Sequence, residues 1–102
     1  MPAISDNPST MESERVRRRV VVHGLVQGVW FRDSTRREAR RHGVDGWVAN
    51  RPDGTVEAVL EGPPGAVQEL LRFLETGPPH AHVARTDVTE EPHEGLTGFS
   101  VR

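Results

Sequence analysis

The sequence contains no cysteine and no lysine, and only 5% of its residues are aromatic. Without cysteine, disulfide frameworks, cysteine zinc sites, thiolate nucleophiles and thiol redox chemistry are excluded together, and apolar packing must supply the stability. No stretch approaches the roughly 18 apolar residues of a membrane span, and the first residues have neither the basic nor the apolar segment of a secretory signal. The expectation is a cytoplasmic chain with no membrane partner. At 102 residues, 34% apolar and 27% charged, the chain suits one small domain around a single core, and a two-domain enzyme is excluded.

Charge is present but unevenly distributed. The formal net charge is −2, and every one of the thirteen bases is Arg. Residues 1–14 carry Asp6, Glu12 and Glu14 and no base, while residues 15–51 carry ten Arg against Asp33, Glu38 and Asp45. Residues 52–102 reverse the balance, with three Arg against nine acids. The basic first half suits an anionic partner, although solvated helix faces give the same count.

Residues 1–14 mix Pro, Ser, Asp, Asn, Thr and Glu around an isolated Ile4. Such a segment buries too little to offset its ordering entropy, so a disordered leader is expected there, with Met11 as an alternative start. The folded domain is expected over 15–102. Val16 to Val22 reads as a half-buried strand, with Val16, Val20 and Val22 on one face and Arg17, Arg19 and Val21 on the other. A glycine-containing loop, His23 to Val29, leads to a helix over Phe31–His42, where Phe31, Thr35, Ala39 and His42 share a face and Arg36, Arg37, Arg40 and Arg41 point outward. Gly43 ends it, and the basic last turn complements the helix dipole.

Val44–Asn50 and Thr55–Glu61 read as strands joined by the turn Arg51-Pro52-Asp53-Gly54. Pro63-Pro64-Gly65 opens a second helix, whose Val67, Leu70, Leu71 and Leu74 make one apolar stripe before Gly77-Pro78-Pro79 stops it. Ala81–Thr89 and Phe99–Arg102 complete the pattern as a strand and a short terminal strand, joined by an acidic turn around Glu90–Gly95. The order βαββαβ plus a short final strand predicts an α+β, ferredoxin-like split βαβ fold, an antiparallel sheet with two helices on one face. That fold alone does not give a function.

The chemistry is concentrated in Gly24-Leu25-Val26-Gln27-Gly28-Val29-Trp30-Phe31-Arg32, a strand, a glycine loop and a helix start. Glycines admit unusual backbone angles, successive N–H groups can converge on an anion, and the helix N-terminus carries partial positive charge. Arg32 sharpens this, because a cation in the first helical turn opposes the macrodipole by about 0.3–1 kcal/mol. A bound phosphate would offset that cost through the paired donors of the guanidinium; the alternative is an exposed Arg beside Asp33. The second segment is Gly46-Trp47-Val48-Ala49-Asn50-Arg51-Pro52-Asp53-Gly54-Thr55-Val56-Glu57. Asn50 closes a strand with an amide that can donate to an oxygen and accept from a water, although an Asn before a turn also serves turn geometry.

Together the two segments resemble the acylphosphatase family, in matching order and spacing from about Val16 to Val101. The resemblance implies hydrolysis of the carboxyl-phosphate bond of acyl phosphates without metal or cofactor. By the same likeness, Arg32 is the catalytic phosphate-binding arginine, Gln27, Gly28, Val29, Trp30, Phe31 and Arg32 form the phosphate-binding loop, and Asn50 orients the attacking water. Inorganic phosphate is then product and competitive inhibitor of a monomer. Ala49 departs from the family, in which Arg is common before the Asn, and residues 1–14 lie outside its pattern. The chemistry is consistent with so few parts: a carboxylate leaves without a proton donor, so the protein has only to position water and stabilise the phosphoryl oxygens.

Other signals compete. Arg41-His42-Gly43 spells a histidine-phosphatase motif, but at a helix end it reads as a cap in a chain too short for that fold. His23 stands beside the loop, either touching phosphate or lining a strand end. His80 and His82, with His93 as a third, would be a metal site only at a spacing that matches no strong pattern. Trp30, Trp47 and the Arg-rich helix raise RNA binding, yet Val56–Glu61 lacks the aromatics that such a sheet presents and carries two acids. A non-catalytic module that binds small anions in the same loop remains the main alternative to an enzyme.

Overall fold

The computed structural model describes residues 14–102. Apart from Glu14, the expected leader over 1–14, Met11 included, lies outside the described residues. Strand β1 (Val16–Leu25) is followed by helix α1 (Phe31–His42), strands β2 (Asp45–Asn50) and β3 (Val56–Gly62), helix α2 (Pro64–Thr76), and strands β4 (His82–Glu91) and β5 (Phe99–Val101). They form one sheet in the order β4-β1-β3-β2-β5.

The alternation of Val20 and Val22 in β1 with Ala58 and Leu60 in β3 lays apolar side chains on one face. Against that face pack Phe31 and Ala39 of α1 and Val67, Leu70 and Leu74 of α2, in one continuous core. The split βαβ arrangement is therefore present, with both helices on the same side. Gly43, in left-handed conformation with φ 71°, closes α1, and Val44 donates its N–H to the Ala39 carbonyl at 2.8 Å instead of starting β2.

The sheet is mixed, which corrects the antiparallel expectation: β5 runs parallel to β2, pairing Gly46 with Phe99 and Val48 with Val101. The reason is chain reversal. After β4 the chain turns back, so β5 runs opposite to β4 and therefore in the direction of β2. The crossing segment 92–98 is tied down on the way, with Gly46 N–H donating to the Gly98 carbonyl and Gly98 N–H to Asp45 Oδ1, both at 2.9 Å. β4 also extends to Glu91, because Glu90 and Glu91 pair with Arg18 and Arg17 across the ladder instead of forming a turn.

β1 continues three residues past the expected Val22, through a bulge between His23 and Gly24. There Gly24 takes φ 130°, and a Cβ would lie 2.1 Å from the His82 carbonyl oxygen, so no side chain fits.

The second face of the sheet is not a simple solvent face. Arg17 is buried between Glu61 and Glu91, at 2.8 Å from each, and Glu61 is fully buried. Arg19 bonds Glu91 at 2.7 Å and also Glu57. Burial opposes ionisation of Glu61, but the Arg17 guanidinium and the backbone N–H groups of Glu94, Leu96 and Gly95 outweigh it and hold its pKa down to about 2.

Candidate active site

By the sheet register, β1 and β2 end and β3 begins at the same end of the sheet, and the glycine loop 27–30 and the turn after Asn50 both lie there. In the loop, Gly28 and Trp30 both adopt positive φ, 75° and 66°. Gly28 does so freely; Trp30 carries a Cβ, and for it the left-handed region costs about 1 kcal/mol. Successive amides in a turn that contains left-handed residues can converge on an anion. Among the described residues, no backbone carbonyl or side chain accepts from the N–H groups of Gly28, Val29 or Trp30. The N-terminus of α1 follows at once, with Trp30 as cap residue and no side-chain capping bond, so its partial positive charge adds to the same spot.

These elements bound an open cleft of about 410 Å³, within the range of small-molecule sites. Gly28, Trp30, Phe31, Arg32 and Asn50 line it, together with Val26, Asp33, Arg36 and Val101. The Arg32 guanidinium is held by Arg102: its Nη1 donates to the Arg102 main-chain oxygen at 2.9 Å. Arg102 is itself fixed, its N–H donating to the Val48 carbonyl at 2.8 Å and its guanidinium lying 4.4 Å from the centre of the Trp47 ring. Asp33 does not neutralise Arg32. Its two oxygens take Arg36 at 2.8 Å and Arg37 at 3.0 Å.

Gln27 has a different place from the rest of the loop. Its Nε2 donates to the carbonyls of Arg51, at 2.8 Å, and Thr55, at 2.9 Å. The side chain thereby ties the glycine loop to the turn that follows Asn50. Within that turn Asp53 accepts from the Thr55 N–H at 3.0 Å and from its hydroxyl at 2.6 Å, bonds that draw its pKa below the usual carboxylate range. Arg51 N–H and the Thr55 carbonyl close the same turn at 2.9 Å.

A family model described as Acylphosphatase matches residues 18–101. The chain belongs to the acylphosphatase family. It is 56% identical to an acylphosphatase of Rubrobacter xylanophilus over 97% of this chain and 93% of the relative, and 54% identical to one of Thermococcus kodakarensis over 86% and 97%. The crystal structure of acylphosphatase from Bacillus subtilis matches with a TM-score of 0.83 at 40% identity, covering 85% of this chain and 98% of that one. The protein is thus an enzyme, an acylphosphatase acting on small acyl phosphates, and no helix among the described residues is long and apolar enough to cross a membrane.

The competing motifs fall elsewhere. His23 lies on the helix-free face and bonds Asp87 at 2.9 Å, and it does not line the cleft. His80 and His82 are exposed, and His93 stands 3.4 Å from Glu61. Among the described residues no three His, Asp or Glu side chains gather as a metal site would require. His42 stands 3.6 Å from Glu38 in the last turn of α1, and the Gly43 cap ends the helix there, in keeping with the capping reading. Sequence reasoning set Arg36 on the outside of α1, whereas it lines the cleft one turn beyond Arg32; i, i+4 spacing from Arg32 was the available signal. Val101 and the Arg102 carbonyl were missed, since nothing local announces that a terminal strand returns to the site.

Proposed function

We propose that this acylphosphatase holds the phosphoryl group of its substrate with Arg32 and the amides of the loop Gln27–Arg32, and that Asn50 orients the attacking water. The observation that carries this reading is that Arg32 and Asn50, from α1 and β2, line one cleft with a glycine loop whose amides have no acceptor among the described residues. Gln27 contributes its backbone and braces the loop against the Asn50 turn.

Water adds to phosphorus as the bond from phosphorus to the carboxyl oxygen breaks, and that bond's electron pair leaves with the carboxylate. Asn50 accepts a hydrogen bond from the water and aligns its lone pair with the bond being broken. Arg32 and the amides stabilise the equatorial oxygens, where charge accumulates in a loose transition state. The leaving carboxylate is a weak base and needs no proton, which accounts for a site without a placed general acid. An alkyl phosphate ester, whose leaving alkoxide does need one, is then a poor substrate. We further read the enzyme as a cytoplasmic monomer that its product, inorganic phosphate, inhibits competitively.

The test is benzoyl phosphate hydrolysis by Arg32→Lys. The ammonium keeps the charge but cannot present two parallel N–H donors, so kcat/KM is expected to fall about 10³-fold, with weaker inhibition by phosphate. Wild-type turnover in this variant would remove Arg32 from the phosphate site.

A further inference from the structure

The cleft, at about 410 Å³, has more room than a phosphoryl group in the bend of a loop requires, so part of its wall is left for the acyl half of the substrate. Setting aside the groups that face phosphate and water leaves Trp30, Asp33, Arg36 and Val101 around the buried floor at Val26. Asp33 and Arg36 bond each other at 2.8 Å, and Arg37 takes the second Asp33 oxygen. That side of the wall carries two guanidinium groups against one carboxylate and is polar, held in place by its own ion pairs.

Trp30 and Val101 differ. Both are apolar, both line the cleft, and they remain 77% and 36% exposed. Neither belongs to the hydrophobic core, so folding does not account for them. Trp30 in particular occupies a left-handed position, φ 66°, where Gly or Asn would be less strained. An aromatic ring that is strained at its backbone and unburied at its side chain gains contacts only when something else covers it.

We propose that Trp30 and Val101 form an apolar platform that receives the acyl group, making the enzyme selective for acyl phosphates with flat or branched apolar acyl groups over those with small ones. The inference rests on the reading that Arg32 and the loop hold the phosphoryl group, which fixes the acyl carbon at the rim of the cleft. From there an aromatic acyl group, planar through its conjugated carbonyl, can stack on the indole face and cover Val101 with its edge. An acetyl group is too short to cover either.

The experiment compares kcat/KM for benzoyl phosphate and acetyl phosphate in the wild type, Trp30→Asn and Val101→Ser, with inhibition by inorganic phosphate measured in each. Asn removes the ring yet accepts the left-handed backbone. Because the selectivity ratio of each variant is divided by that of the wild type, the intrinsic difference between the two leaving groups cancels. The benzoyl-to-acetyl ratio is expected to fall about tenfold in Trp30→Asn and about threefold in Val101→Ser, mainly through KM for benzoyl phosphate. A ratio unchanged in both variants, while phosphate still competes with substrate, would overturn the platform and leave the phosphate site standing. Failure of phosphate to compete in the wild type would instead overturn the phosphate reading on which the platform rests.

Discussion

Arg32 sits where a helix ordinarily prefers an acid, and the acid next to it is occupied by Arg36 and Arg37. This cost, written into the first turn, was the most legible functional feature of the sequence, because a local rule is broken without local compensation. Asn50 was legible only through its neighbours, since an Asn before a turn has an ordinary structural explanation. The two residues are expected to separate experimentally. Asn50→Ala should lower kcat by about two to three orders of magnitude while the inhibition constant for phosphate stays near the wild-type value, because the role proposed for Asn50 is on a water and not on the phosphoryl oxygens. Steady-state rates with phosphate as competitor check this, and inhibition that weakens in proportion to the rate would move Asn50 into the phosphate cradle. Gln27 was grouped with the loop from sequence; its bonds to the Arg51 and Thr55 carbonyls join residues 24 and 28 positions apart, a relation that no local pattern can announce.

At the scale of elements, the helices and the four long strands followed from periodicity, with the bounds of Phe31–His42 as expected and the others within three residues. The parallel pairing of β5 did not, because three residues, Phe99–Val101, carry too little pattern to specify a neighbour or a direction. Gly46 shows why β2 tolerates so little variation beside that pairing. It takes φ 139°, and a Cβ there would lie 1.8 Å from the Val59 carbonyl oxygen of β3, a backbone atom that cannot swing aside. Gly46→Ala is therefore expected to destabilise the fold by about 3 kcal/mol or more, since backbone strain and the clash both act, and a chemical denaturation midpoint well below the wild-type value would show it. A midpoint within the error of the wild type would mean that β2 and β3 separate readily, against the continuous ladder from Asp45↔Glu61 to Asn50↔Val56.

For the molecule as a whole, the charge asymmetry seen in the sequence resolves into contact. Arg17 and Arg19 of β1 meet Glu57 and Glu61 of β3 and Glu91 of β4 across the helix-free face, so part of the basic first half is matched within the fold. Glu61 is the fully buried acid of this network. Its folded pKa, about 2, lies below its ordinary value near 4.5, so it contributes stability that is complete above about pH 4.5 and lost as pH falls through about 2. Glu91, held below the usual range by Arg19 and Arg17, acts in the same direction. Glu61→Gln is expected to cost roughly 3 kcal/mol at pH 7, because Arg17 and three amides lose a charged acceptor in a buried place. It should also flatten the fall of stability between pH 4.5 and 2. Thermal unfolding across that range measures both, and an acid limb as steep as the wild type's would assign the dependence to other carboxylates. Benzoyl phosphate turnover at 25 °C should persist, as Glu61 is at the far end of the sheet from the cleft.

The bulge between His23 and Gly24 has a consequence for how the chain finds its alignment. Arg15, Arg17 and Arg19 alternate along the sequence, so sliding β1 by two residues would still bring a guanidinium opposite Glu61, and ion pairing alone does not distinguish the native alignment from its nearest competitors. The apolar face opposes such a slide, because it would carry Arg18 into the place of Val16 or Val20. Gly24 adds a second constraint. A two-residue slide would carry Val22 or Val26 into the position where a Cβ meets the His82 carbonyl at 2.1 Å, and only the native register puts a residue without a side chain at that crossing.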